Sequence, residues 1–173
     1  MPATDYITAV YDQIWSLLEG HAPFTALVKP GNRIKLSGNA LNPSKVSVSE
    51  ADFPEALLGL GQLTDAQFAD APQLAAPDLI VAFVEPMEQV YLLTLTLPDL
   101  RIGPANQLLM EVLTALRQGG AQLGLAYVDS WGPVVCTQAK SLADPASMRE
   151  ARRLVTTLSI PVKMVFQGDE LLT

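Results

Sequence analysis

The chain has 173 residues, 11 basic and 18 acidic side chains and a net charge of -7, and is most simply one domain large enough to need no disulfide or metal staple. Its single cysteine, Cys136, excludes an internal disulfide, and its single histidine, His21, excludes histidine-rich metal sites and two-histidine mechanisms. The acidic balance argues against tight or sequence-specific nucleic-acid binding.

The N-terminus lacks a basic region followed by an apolar core, so no signal peptide is expected. Residues 5–19 then read as a first helix. Ile7, Val10, Tyr11, Ile14, Leu17 and Leu18 recur at helical spacing, with Thr4 as the expected N-cap and Gly20 as the stop. His21 follows in a loop, as a helix-end residue. After the short apolar turn 24–28, Lys29-Pro30-Gly31-Asn32 breaks the chain, and residues 33–36 suit a short strand. Residues 37–49, rich in Ser, Asn, Gly and Pro, are expected to form a surface loop.

Residues 55–62 read as a strand in which Gly59 and Gly61 signal a bulge or a close backbone approach. Residues 64–77 look like a surface excursion. Residues 79–84 and 89–97 flank Glu85-Pro86-Met87-Glu88 and are expected to form a β-hairpin. In 89–97, Tyr91, Leu93, Leu95 and Leu97 fall on one face, and Leu92, Thr94 and Thr96 on the other.

Gly103-Pro104 opens a second amphipathic helix with the stripe Leu108, Leu109, Val112, Leu113 and Leu116, ended by Gly119-Gly120. Residues 123–129 and 134–137 suit a strand pair around Ser130-Trp131-Gly132-Pro133. Residues 154–166 form the last strand, with Leu158, Ile160, Val162, Met164 and Phe166 on one face. Pro161 has no N–H to donate, which predicts an edge strand or a bulge there.

The fold class read from this order is α+β: an antiparallel sheet with a β-hairpin, covered on one face by two amphipathic helices. It forms a single domain, 1–173, with 37–49, 64–77 and 130–153 as surface excursions. No apolar run approaches the ~20 residues of a membrane span. The chain is therefore read as soluble, with no membrane partner. Its 49% apolar content and mean hydropathy of +0.25 are high for so few charges. Either the core is well filled, or neighbouring subunits cover part of the apolar surface.

Charge is segregated along the chain. Residues 46–100 carry nine acids and no Lys or Arg, whereas Lys29, Arg33, Lys35 and Lys45 stand together without an acid. A second basic cluster is Arg149, Arg152 and Arg153. Such blocks are solvated faces, or patches that let one subunit's base meet the next subunit's acid.

Catalytic patterns are not found. A Cys136–His21 nucleophile pair is conceivable, but Cys136 lies between Val135 and Thr137, where a buried, inert thiol is the ordinary expectation. No calcium loop, dinucleotide fingerprint, phosphate loop or nucleophile elbow is present. No cofactor and no metal site is expected. Trp131 is the residue best suited to a contact hot spot, unless it folds back over the sheet edge.

The element order, the lead-in Ala51-Asp52-Phe53-Pro54-Glu55-Ala56-Leu57-Leu58 and the long closing strand 153–166 resemble the tail terminator, or tail completion, proteins of long-tailed bacteriophages and prophages. The resemblance covers roughly residues 5–166 as a pattern. It implies a non-enzymatic structural protein of the virion tail, assembled in the host cytoplasm. It also implies a homo-oligomeric ring, typically a hexamer, that caps the tail tube and joins the head connector. Tail tube protein and head–tail connector protein are then the expected partners. Lys29, Arg33, Lys35, Lys45, Trp131, Arg149, Arg152 and Arg153 are the residues considered for the subunit or partner interface. The alternative is a small-molecule- or lipid-binding α+β module that uses the apolar space between helix and sheet.

Overall fold

The computed structural model describes residues 5–35, 53–65, 85–98, 100–141 and 153–166. In chain order the elements are α1 (Tyr6–Gly20), α2 (Ala22–Leu27), a 3-10 turn (Pro30–Asn32), β1 (Arg33–Ile34) and β2 (Glu55–Asp65). Then come β3 (Glu85–Leu97), α3 (Ile102–Gln118), β4 (Val128–Trp131), β5 (Val135–Ser141) and β6 (Arg153–Phe166). The class is α+β, as the sequence indicates.

The six strands form one sheet in the order β1-β2-β3-β6-β4, with β5 also paired to β6. Only β1–β2 is parallel; every other pair is antiparallel. Strand β3 runs along the whole of β6, from Glu85 opposite Phe166 to Leu97 opposite Leu154. Strands β4 and β5 therefore share the other side of β6. β5 pairs with its first half, and β4 with its end.

Period-two alternation decides which face is covered. Tyr91, Leu93, Leu95 and Leu97 of β3 and Leu154, Leu158, Ile160, Val162 and Met164 of β6 are buried. They share one core with Val10, Ile14, Trp15 and Leu18 of α1, Phe24 of α2, and Leu108, Val112 and Leu116 of α3. Tyr11 Oη donates to the Leu58 carbonyl at 2.8 Å, and Tyr91 Oη to the Ile7 carbonyl at 2.8 Å, tying α1 to β2 and β3. The opposite face carries Leu92, Thr94, Thr96, Val155, Thr157 and Ser159, all half-buried. No described helix lies over it.

Five sequence expectations are corrected. The N-cap of α1 is Asp5, whose carboxylate accepts from Thr8 N at 2.9 Å and from Thr8 Oγ1 at 2.6 Å. The apolar turn at 24–28 is largely the short helix α2. Residues 85–88 are not a hairpin tip but the start of β3, paired to both β2 and β6. Residues 79–84 lie outside the described residues.

β4 and β5 do not pair with each other, because both pair with β6, so part of the segment 130–153 is strand. Finally, β6 is a central strand and not an edge. Its Pro161 carbonyl accepts from Gly132 N at 2.9 Å, so the proline's nitrogen also points to that side, since one residue's N–H and C=O point to the same neighbour. That side is the break where the chain leaves β4 at Trp131 and has not yet begun β5 at Val135. The missing donor falls opposite the Gly132–Val134 connection and not opposite a strand residue of β4 or β5, and pairing with β3 is unbroken.

The bulge expected at the β2 glycines is present: the β2–β3 register shifts between Leu60 and Leu63. At Gly61 a side-chain carbon would meet the Val90 carbonyl, Val90 Cγ1 and Leu92 Cγ at 3.2 Å each. A bulge takes backbone carbonyls out of the ladder. The buried amide of Gln89 satisfies them, donating to Gly61 O at 3.2 Å and Val90 O at 2.8 Å. Gly120, with φ +68°, takes the left-handed conformation that ends α3.

Candidate assembly surface

The basic residues of the first cluster are placed mainly by contacts within the chain. Arg33 follows α2 and turns back onto its C-terminus. Its Nε and Nη2 donate to the Val28 carbonyl at 3.0 and 2.8 Å. A cation there complements the negative end of a helix. Glu19 of α1 receives Lys35 Nζ at 2.9 Å and lies 3.7 Å from Arg33. Lys35 also stands 5.4 Å from the centre of the Trp15 ring. Arg33 and Lys35 thus fasten the chain after α2 to α1, and Lys29 is exposed beside them.

Arg153 begins β6, and its guanidinium lies 4.3 Å from the centre of the Phe53 ring. Phe53, in the Asp-Phe-Pro lead-in, is therefore a packing residue that joins the start of β2 to the start of β6. The register puts Arg33 and Arg153 at the same end of the sheet. Strands β2 and β3 stand between them, roughly 14 Å across at ~4.8 Å per strand. They do not form one patch. Lys45, Arg149 and Arg152 lie outside the described residues.

Trp131 donates its indole N–H to the Gly120 carbonyl at 2.8 Å and is half-buried against the core. It closes β4 onto the turn after α3. His21 lies between α1 and α2 and is 8% exposed. Its Nε2 meets Glu111 Oε2 at 2.8 Å, and Gln118 Nε2 meets its Nδ1 at 3.1 Å. Both ring nitrogens are thereby engaged by polar side chains of α3. The histidine joins the α1–α2 corner to α3. This link between residues 90 positions apart has no local sequence signal.

Cys136 is exposed on β5, contrary to the buried thiol expected from its apolar neighbours, and partial desolvation raises its pKa. It belongs to a strand whose described side chains, Val135 to Lys140, are exposed on both faces. Among the described residues no group of three or more His, Cys, Asp and Glu side chains is arranged to hold a metal. No described helix is long and apolar enough to cross a membrane.

The feature that sequence reasoning missed is the distribution of exposed apolar side chains. Among the described residues the large ones are Leu60, Leu63, Ile102, Met110 and Val135, between 47% and 60% exposed. Leu60 and Leu63 stand at the outer edge of β2, and Val135 on β5. Ile102 and Met110 lie on α3 with Asn106 between them, and the Asn106 side chain accepts from Gln138 of β5 at 3.2 Å. Apolar surface is thus gathered at the two opposite edges of the sheet. Single-residue periodicity cannot reveal which strands end up outermost.

No family model matches the chain, and no curated protein matches it. Among solved structures it is similar to a chain of "Virion of native gene transfer agent (GTA) particle", at 13% identity and a TM-score of 0.49. The match covers 88% of this chain and 92% of that one. At this distance the likeness assigns no role.

Proposed function

We propose that this protein is a structural component of a phage-type particle, and more narrowly a tail terminator. In this role it assembles as a ring on the tail tube and presents a joining surface to the head connector. One observation carries the reading: a sheet whose described helices all lie on one side, and whose two outer edges both expose apolar side chains. Large exposed apolar patches mark contact surfaces. The resemblance of the Ala51–Leu58 lead-in and the closing strand points the same way, and the role is non-enzymatic.

The space between helices and sheet is filled by Trp15, Phe24, Tyr91, Leu108 and Leu116, each no more than 2% exposed. A ligand-binding role there would need room that these side chains occupy.

The test is electron microscopy of the purified protein, alone and mixed with a phage tail-tube protein from the same genome. Annular particles, and tubes of limited length bearing this protein at one end, are expected. Dispersed particles of 18.6 kDa that neither recruit nor cap tubes would contradict the proposal.

A further inference from the structure

The two outer edges of the sheet are matched. At one edge β1 pairs only with Ala56 and Leu57, so among the described residues no strand pairs the outer side of β2 from residue 58 to 65. At the other edge is the seven-residue β5, a strand of nearly the same length, with no described partner on its outer side. Unpaired strand edges are templates for another strand.

Directions agree as well. β2 runs opposite to β3, β3 opposite to β6, and β6 opposite to β5. A second copy set beside the first in the same sense therefore brings its β2 alongside β5 in antiparallel orientation.

The side chains agree on which face they occupy. Leu60 pairs with buried Tyr91 and Leu63 with buried Gln89, so both leucines lie on the helix side of the sheet. Cys136 and Gln138 pair with buried Leu158 and Thr156, so they too lie on the helix side. Asn106 reaches Gln138 from α3, which places the Ile102–Asn106–Met110 stripe over that same edge.

We infer that β5 of one copy adds antiparallel to the outer edge of β2 in the next, continuing the sheet head to tail. In this arrangement Ile102 and Met110 of one copy meet Leu60 and Leu63 of the other. The inference rests on the ring reading above and names its seam. Because the contact joins two different surfaces, it propagates from copy to copy and closes only as a ring.

Disulfide trapping tests it, because the chain has one native cysteine and that cysteine is on β5. Leu60→Cys, Leu63→Cys and Thr64→Cys are prepared as intact chains. Each is checked for native circular dichroism and oxidised with diamide at pH 8.5, since the Cys136 thiol titrates high. Antiparallel neighbours lie within disulfide reach. Leu60→Cys or Leu63→Cys is expected to give a ladder extending beyond dimer. Thr64→Cys, whose side chain points to the other face, and the unaltered protein are expected to stay uncrosslinked.

Met110→Glu is expected to weaken association at least tenfold in light scattering, with unchanged circular dichroism. Dimers of the unaltered protein through Cys136 would mean that two β5 strands pair with each other, and would overturn the inference. Multimers in light scattering without any ladder would overturn the seam while leaving the ring. Monomers throughout would overturn both.

Discussion

Strands β3 and β5 are both antiparallel partners of β6, yet they are different kinds of structure. Along β3, Tyr91, Leu93 and Leu95 are fully buried, and each main-chain pairing is backed by core packing. Along β5 the pairing with β6 runs from Val135 to Ser141, yet Val135 to Lys140 are exposed. Burial of a large aliphatic side chain contributes roughly 1.5–3 kcal/mol, whereas a net backbone hydrogen bond contributes about 1. The first strand holds the fold together. The second gains little from the fold that it sits on, and its side chains remain available to a partner.

The sharpest way to break that contrast is Leu93→Ala. It is expected to cost about 2–5 kcal/mol, because a cavity opens between α1, α3 and the sheet. In a chain of this size that lowers Tm by roughly 5–20 °C, read by thermal melting. Gly61→Val comes next, at about 1–3 kcal/mol in urea unfolding, since the new side chain must displace the Val90 carbonyl from 3.2 Å. His21→Ala is expected to cost about 1–3 kcal/mol, because Glu111 and Gln118 lose their partner at the α1–α2 corner.

Asp5→Ala is expected to cost about 1 kcal/mol at neutral pH through loss of the α1 cap. The hydrogen bonds from Thr8 hold the Asp5 carboxyl below its ordinary value of 3.8, so its contribution is full above that pH. It is lost as pH falls through the lowered value, and the two proteins' unfolding curves should converge in acid. Thr137→Ala, on β5, sits at the other end of the scale. It is expected to change the stability of the isolated chain by less than about 0.5 kcal/mol.

Those magnitudes follow what the sequence made legible. Strict alternation at Tyr91–Leu93–Leu95 and at Leu158–Ile160–Val162 located the two central strands and their buried face. The stripe of α3 and the bulge glycines of β2 were equally readable, because each is a local pattern with one physical cause. The Glu85–Glu88 segment misled because Pro and two acids suit a turn, and in the structure long-range pairing on both sides overrides that preference. Pro161 misled for the opposite reason: a missing N–H excludes a central strand only if a ladder partner stands opposite it.

The basic residues Arg33, Lys35 and Arg153 drew attention as interface candidates by their clustering in sequence. In the fold they contact Val28, Glu19 and Phe53 of the same chain. The two exposed edges, one with Leu60 and Leu63 and the other with Ile102 and Met110, were illegible, because only the strand order brings these segments to opposite ends of one sheet.

Hydrogen exchange of the unmodified protein across a concentration series tests most directly whether β5 is a docking edge. The amides of β3 should exchange slowly at every concentration. Those amides of residues 135–141 that point away from β6 should exchange quickly when the protein is dilute and become protected as concentration rises and copies associate. Fast exchange of these amides at every concentration, in a sample that light scattering shows to be assembled, would contradict the account.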